Sequence, residues 1–168
     1  MLAANLALRE RYWSHDENSV LCAKGNLANC LKSVGRHVEA LRLRRDVYDG
    51  FLALFGRAAE PTLLNAVNLA SSLIDVENFD EAIPFLREQV LVANQAFGPD
   101  HIRALDLAGW LSEALRRNPD ATRADLRESE SIILDVLQRE RRVLGPAHPY
   151  TKTSERALSF VRKQLAAA

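Results

Sequence analysis

Asn26-Leu27-Ala28, Glu39-Ala40-Leu41 and Phe55-Gly56 recur as Asn68-Leu69-Ala70, Glu81-Ala82-Ile83 and Phe97-Gly98. One shift of 42 residues carries position 26 onto 68, 39 onto 81 and 55 onto 97. Periods between about 20 and 50 residues mark stacked repeat arrays, in which each unit buries its apolar face only against its neighbours. Such arrays present surfaces to other proteins and rarely carry out chemistry.

Each period holds two apolar stripes. Val20, Leu27, Leu31 and Val34 precede Gly35, and Ala40, Leu43, Val47, Phe51 and Leu54 precede Gly56. In the next period Leu63, Ala66, Leu69, Ala70 and Leu73 are followed by Ala82, Leu86, Val90, Ala93 and Phe97. Spacings of three and four predict amphipathic helices, and no polar–apolar alternation predicts a strand. Ala28, Ala70 and Ser112 share one place in the first helices, and Ala40, Ala82 and Ser129 share one in the second. Small residues there let paired helices approach closely where they cross.

The expected layout is an all-α array: repeats at 17–56, 59–98 and 101–145, and a terminal helix at 149–166. Leu105, Leu111, Ser112 and Leu115 keep the register of the third repeat. After Asn118-Pro119-Asp120-Ala121-Thr122 the shift grows, carrying Gly98 onto Gly145, so an inserted loop is expected at 118–122. Leu126, Ser129, Ile133, Leu137 and Leu144 follow, then Leu158, Val161 and Leu165 in the terminal helix. Residues 1–14 read as a half repeat, with Trp13-Ser14 where Phe55-Gly56 and Phe97-Gly98 stand. That makes eight main helices.

Composition narrows the function classes. Lys plus Arg and Asp plus Glu both total 22, a balance that argues against a nucleic-acid binder. No apolar run approaches the roughly 20 residues that span a bilayer, so no membrane insertion is expected. Cys22 and Cys30 are eight residues apart on one predicted helix. That puts their backbones about 12 Å apart, beyond disulfide reach. Free thiols fit a cytoplasmic location. His15, His37, His101 and His148 lack the converging partners of a metal site, and Ser71 and Ser72 lack the base and glycines of a nucleophile elbow. No enzyme activity, cofactor or metal is expected. The runs Arg42-Leu43-Arg44-Arg45 and Arg139-Glu140-Arg141-Arg142, laced with acids, read as solvated outer faces.

The pattern resembles tetratricopeptide repeats of the 42-residue type found in kinesin light chains and nephrocystin-like proteins. The residues that carry the resemblance are the two Asn-Leu-Ala sites, Glu81-Ala82-Ile83-Pro84-Phe85-Leu86, and the connector Leu144-Gly145-Pro146-Ala147-His148-Pro149-Tyr150-Thr151. Phe97-Gly98-Pro99-Asp100-His101 is a partial second copy. Phe55-Gly56-Arg57-Ala58-Ala59-Glu60-Pro61-Thr62 departs from it, and Trp110 stands where the family has Asn.

The resemblance implies a right-handed superhelical solenoid of stacked antiparallel helix pairs, with His101 and His148 bracing connectors. It also implies a concave groove lined by the first helices, where a protein or peptide partner would meet Asn26, Asn29, Lys32, Asn68, Ser71, Asp75, Trp110, Glu113, Arg116 and Arg117, flanked by Ser33 and Ile74. Asn26, Asn68 and Trp110 share one place at successive intervals, and an Asn amide both donates to and accepts from a peptide backbone. The alternative is a structural subunit held in a multi-subunit complex through its terminal helices.

Overall fold

The computed structural model describes the backbone from residue 2 to 167 and the side chains from 17 to 167. Seven helices follow one another among the described residues: α1 (Leu2–Ser33), α2 (His37–Phe55), α3 (Glu60–Asp75), α4 (Phe79–Phe97), α5 (Ile102–Arg117), α6 (Arg123–Val143) and α7 (Pro149–Ala167). No strand occurs among them. The chain divides into two compact units, Met1–Ser72 and Leu73–Ala168.

Backbone conformation sets the reversals. After α1, the Arg36 N–H donates to the Leu31 carbonyl at 2.9 Å and the Gly35 N–H to that of Lys32 at 3.1 Å. Gly35 takes φ +78° there. This paired closure needs a left-handed residue just past the helix, the conformation glycine adopts most cheaply. Asn78 and Glu77 repeat it after α3, donating to Leu73 and Ile74 at 2.9 and 3.1 Å. Glu77 therefore holds φ +58° in glycine's place. Gly56 and Gly98 end α2 and α4 at φ/ψ of 80/166° and 85/160°, a region essentially reserved to glycine.

In the first unit α1 packs on α2, with Ala28 and Ala40 both buried. Leu21, Val47 and Phe51 form the core. Gly50 makes room for Leu21, since a Cβ at Gly50 would lie 2.5 Å from a Leu21 methyl. The inward face of α1 is thus Leu21, Gly25 and Ala28; Val20, Leu27 and Val34, expected in the stripe, are exposed. Leu69 and Leu111 stand 42 and 84 residues beyond Leu27 and are 4% and 5% exposed, whereas Leu27 is 52% exposed. One residue type at one place of the repeat is thus buried in α3 and α5 and exposed in α1.

A second correction concerns Arg44. Read as part of a solvated run, it is 6% exposed and donates from Nη2 to Asn29 Oδ1. It occupies the inward place that Leu86 and Ile133 fill in the later pairs, and both of those are buried. Phe55 and Phe97 are exposed, one against Phe51 and the other stacked on His101.

In the second unit α4 packs on α5, α5 on α6, and α6 on α7. Leu105, Ile133, Val136, Leu137 and Leu158 form its core. The helix break at Pro119 stands where expected, but the five extra residues do not all enter the loop. The α5–α6 loop has five residues, 118–122, against three in each earlier pair, 34–36 and 76–78. The rest lengthen the start of α6, because the inserted chain finds an N-cap: Thr122 and Asp125 form a reciprocal capping box.

The half repeat expected at 1–14 is not a separate helix, so the described residues form seven helices and not eight. α1 runs unbroken through Trp13-Ser14. The reversals that do form use a positive-φ residue, except at α5–α6, where Pro119 breaks the helix. Trp13-Ser14 offers neither device. How residues 1–14 pack lies outside the described side chains.

Candidate partner-binding groove

Two histidines place the helices that flank the site. His101 Nδ1 accepts from the Arg103 N–H at 3.3 Å to start α5, and His148 Nδ1 accepts from the Tyr150 N–H at 3.3 Å to start α7. Thr151 Oγ1 donates to the Gly145 carbonyl at 2.8 Å, closing the second connector. These histidines brace connectors, as the resemblance implies.

Between α5 and α7, floored by α6, lies a cavity of about 530 Å³. Trp110, Tyr150 and Phe160 supply its aromatic walls, and Ile133, Val136 and Glu140 its α6 side. Asp75, Glu113, Arg116 and Arg117 also line it. Half of the ten expected contact residues therefore meet on one cavity, all within the second unit. Volume and aromatic lining both suit a binding cleft.

Charge in the cavity is organised. Glu113 holds Arg116 in a two-pronged pair, with one contact at 3.2 Å, and the guanidinium lies 5.6 Å from the Phe160 ring centre. Arg103 reaches Asp106 at 3.1 Å, yet burial outweighs that pairing and pushes the Asp106 carboxyl up. Burial likewise raises Glu140, reinforced by the Asp106 charge and opposed by a Ser154 hydrogen bond and by His148. Desolvation penalises the charged form of both acids.

The other five expected residues belong to the first unit. Asn26 is exposed and Asn68 partly buried. Asn29 accepts from Arg44, and Lys32 Nζ donates to Ser71 Oγ at 2.8 Å, with Ser71 buried. Those three are engaged inside the unit, where long or short polar side chains at the edge of an apolar stripe find partners before solvent does.

Asp106, Glu140, Tyr150 and Phe160 line the cavity without having been expected there. A signal existed for two of them. Asp106 precedes Trp110 by one helical turn, and Glu140 continues the inward Ile133 and Leu137 series. The surrounding arginines hid it. Arg139 and Arg142 bind Asp100 at 3.0 and 2.5 Å, and Arg141 binds Glu155 at 2.9 Å. Those three are the solvated outer face expected; Glu140 points the other way.

No group of three His, Cys, Asp or Glu among the described residues is placed to hold a metal ion. No described helix is long and apolar enough to cross a membrane. Cys22 and Cys30 are both free thiols.

Comparison with known proteins locates the fold. The tetratricopeptide repeat family model matches residues 66–103. Comparison with curated protein sequences gives no match. Among solved structures, the tetratricopeptide-like repeats of a Podosopora anserina protein designated a kinesin light chain superimpose with a TM-score of 0.75 at 19% identity over 86% of this chain. A point variant of those repeats gives 0.68 at 19% identity over 85%. The chain spans 66% and 65% of those two structures, just under two thirds of their length. Tetratricopeptide repeats are in general protein-interaction modules. Residues 66–103 match the tetratricopeptide repeat, and the chain shares the all-α repeat fold of those solved kinesin-light-chain-like repeats.

Proposed function

We propose that this chain is a non-catalytic module that binds an extended segment of a partner protein along the face of its first helices. The observation that carries the reading is the α5–α7 cavity, where Asp75, Trp110, Glu113, Arg116 and Arg117 converge on aromatic walls. Aromatic and arginine side chains dominate the energetics of such contacts. In the first unit Asn26 and Asn68 are the counterparts of Trp110, each able to satisfy a peptide amide, and Asn29, Lys32 and Ser71 set their surroundings. A photo-crosslinking amino acid at position 110, with the exposed Leu91 of α4 as control, tests this in an extract of the native source. Adducts are expected from 110 and not from 91. Adducts from 91 alone would move the contact to the opposite face.

A second reading, a subunit held in a larger assembly, is favoured by one feature. Val20 and Leu27 are 50% and 52% exposed on α1, at places that are buried in α3 and α5. Light scattering on the eluted chain compares the two readings: a monodisperse monomer favours the groove, and association that Leu27→Lys abolishes favours the assembly.

A further inference from the structure

The cavity between α5 and α7 has a floor with a defined chemical demand. Glu140 is 5% exposed, and its Oε2 has no hydrogen-bond partner among the described residues. Two of the other acids that line the cavity are held, Asp106 by Arg103 and Glu113 by Arg116. No lysine or arginine pairs with Glu140 among the described residues. A buried carboxylate oxygen without a donor is costly, and the cost is recovered when a cation or donor arrives. The same cavity is lined by Trp110 and Tyr150, and by the exposed Arg117 and Arg156 at its rim.

We propose that the cavity takes an arginine side chain of the partner segment, its guanidinium meeting Glu140 at the floor and its stem lying along Trp110 and Tyr150. The proposal rests on the groove reading above and names what the groove selects. Arginine suits the site better than lysine for two reasons. Its planar fork can offer two parallel donors to one carboxylate, and it stacks on aromatic faces. The cavity already holds one guanidinium that way, Arg116 over Phe160. The rim arginines oppose this choice, since they attract an acidic segment and repel a basic one. What decides against the rim is exposure: a charge in water is screened, whereas the buried Glu140 is not.

The test is a titration of the full chain with the blocked peptide Ac-Ser-Leu-Arg-Leu-Ser-NH2, following the Trp110 indole N–H by NMR. Versions with citrulline, lysine or glutamate in the central place are compared. The arginine peptide is expected to shift the Trp110 signal. Citrulline, which keeps the shape and loses the charge, is expected to bind at least tenfold more weakly, as is the arginine peptide to Glu140→Gln. The citrulline comparison uses the parent chain, so it stands whether or not the variant folds. Equal binding of the citrulline peptide, tighter binding of the glutamate peptide, or no shift with arginine would each overturn the proposal. The groove reading survives any of these if position 110 still crosslinks to its partner, and it falls separately if only position 91 does.

Discussion

Ser112 and Ser129 bind each other across the α5–α6 crossing: Ser112 Oγ donates to the Ser129 carbonyl at 3.0 Å, and Ser129 Oγ to the Ser112 carbonyl at 2.8 Å. Both residues are buried. The first pair places Ala28 and Ala40 at the corresponding points, also buried. The third pair therefore keeps the small volume that lets two helices approach and adds a reciprocal bond through the second lone pair of each carbonyl.

Ser112→Ala or Ser129→Ala alone is expected to cost about 0.5–1.5 kcal/mol, the usual net value of one such bond. The double variant restores the alanine crossing of the first pair, so its loss should be smaller than the sum. Urea denaturation of the four proteins gives the coupling directly. Strict additivity would show that the two bonds are independent.

Ala40→Leu is expected to destabilise by roughly 1–3 kcal/mol, because three extra carbons enter a close-packed crossing. Ala82 is equally buried, and Ala82→Leu should behave alike. A thermal melt of either variant that matched the parent would place the crossing elsewhere.

Glu77 and Gly56 test the reversals in opposite directions. Glu77 holds φ +58° where the equivalent Gly35 holds +78°; Glu77→Gly should stabilise by about 1 kcal/mol, since a left-handed conformation penalises any side chain with a Cβ by roughly that much. Around Gly56 no atom lies within 4 Å of the place a methyl would take, yet its φ is +80°. Gly56→Ala should therefore destabilise by about 1–3 kcal/mol through backbone strain alone. Equilibrium unfolding measures both.

Burial raises the folded-state pKa of Glu140 above its unfolded value, with Asp106 adding to the rise. The folded protein then binds the proton more tightly, so this contribution to stability is present below the unfolded pKa and is lost as pH rises through the folded one. Glu140→Gln removes the loss. It should melt higher than the parent at neutral pH. The gap should close as pH falls toward the ordinary glutamate value of about 4.3. Asp100 and Asp125, whose carboxyls are lowered by Arg139 and Thr122, titrate alike in both proteins and cancel in the difference. Melts across a range from roughly pH 4 to 8 follow it.

The period made most of the fold legible, because helices, reversals and crossing residues repeat where the same packing problem repeats. Ala40 and Ser129 were identifiable as crossing residues since only a small side chain solves that problem. The face of α1 was not legible: Val20 and Leu27 have the same chemistry as their buried counterparts, and exposure depends on what lies beside them. Nor were Arg44 and Glu140, for which periodicity and residue type disagree. Each sits at an inward place of its helix within a run of charges, and charge runs ordinarily face water. For the site, the repeat register brought five residues to one cavity, while the acids beneath them emerged only from burial.

Arg44, set between Gly25 and Asn29 where later pairs have Leu86 and Ile133, leaves the first pair with a thinner apolar layer than the second unit. In a repeat chain, each layer opens according to its own contacts. Backbone amides of α1 and α2 should therefore exchange with solvent deuterium through local opening, at lower free energy than those beneath Leu105, Ile133 and Leu137. The least protected layer is also the one that carries Asn26, so occupancy there would be recorded as slowed exchange before any change of shape.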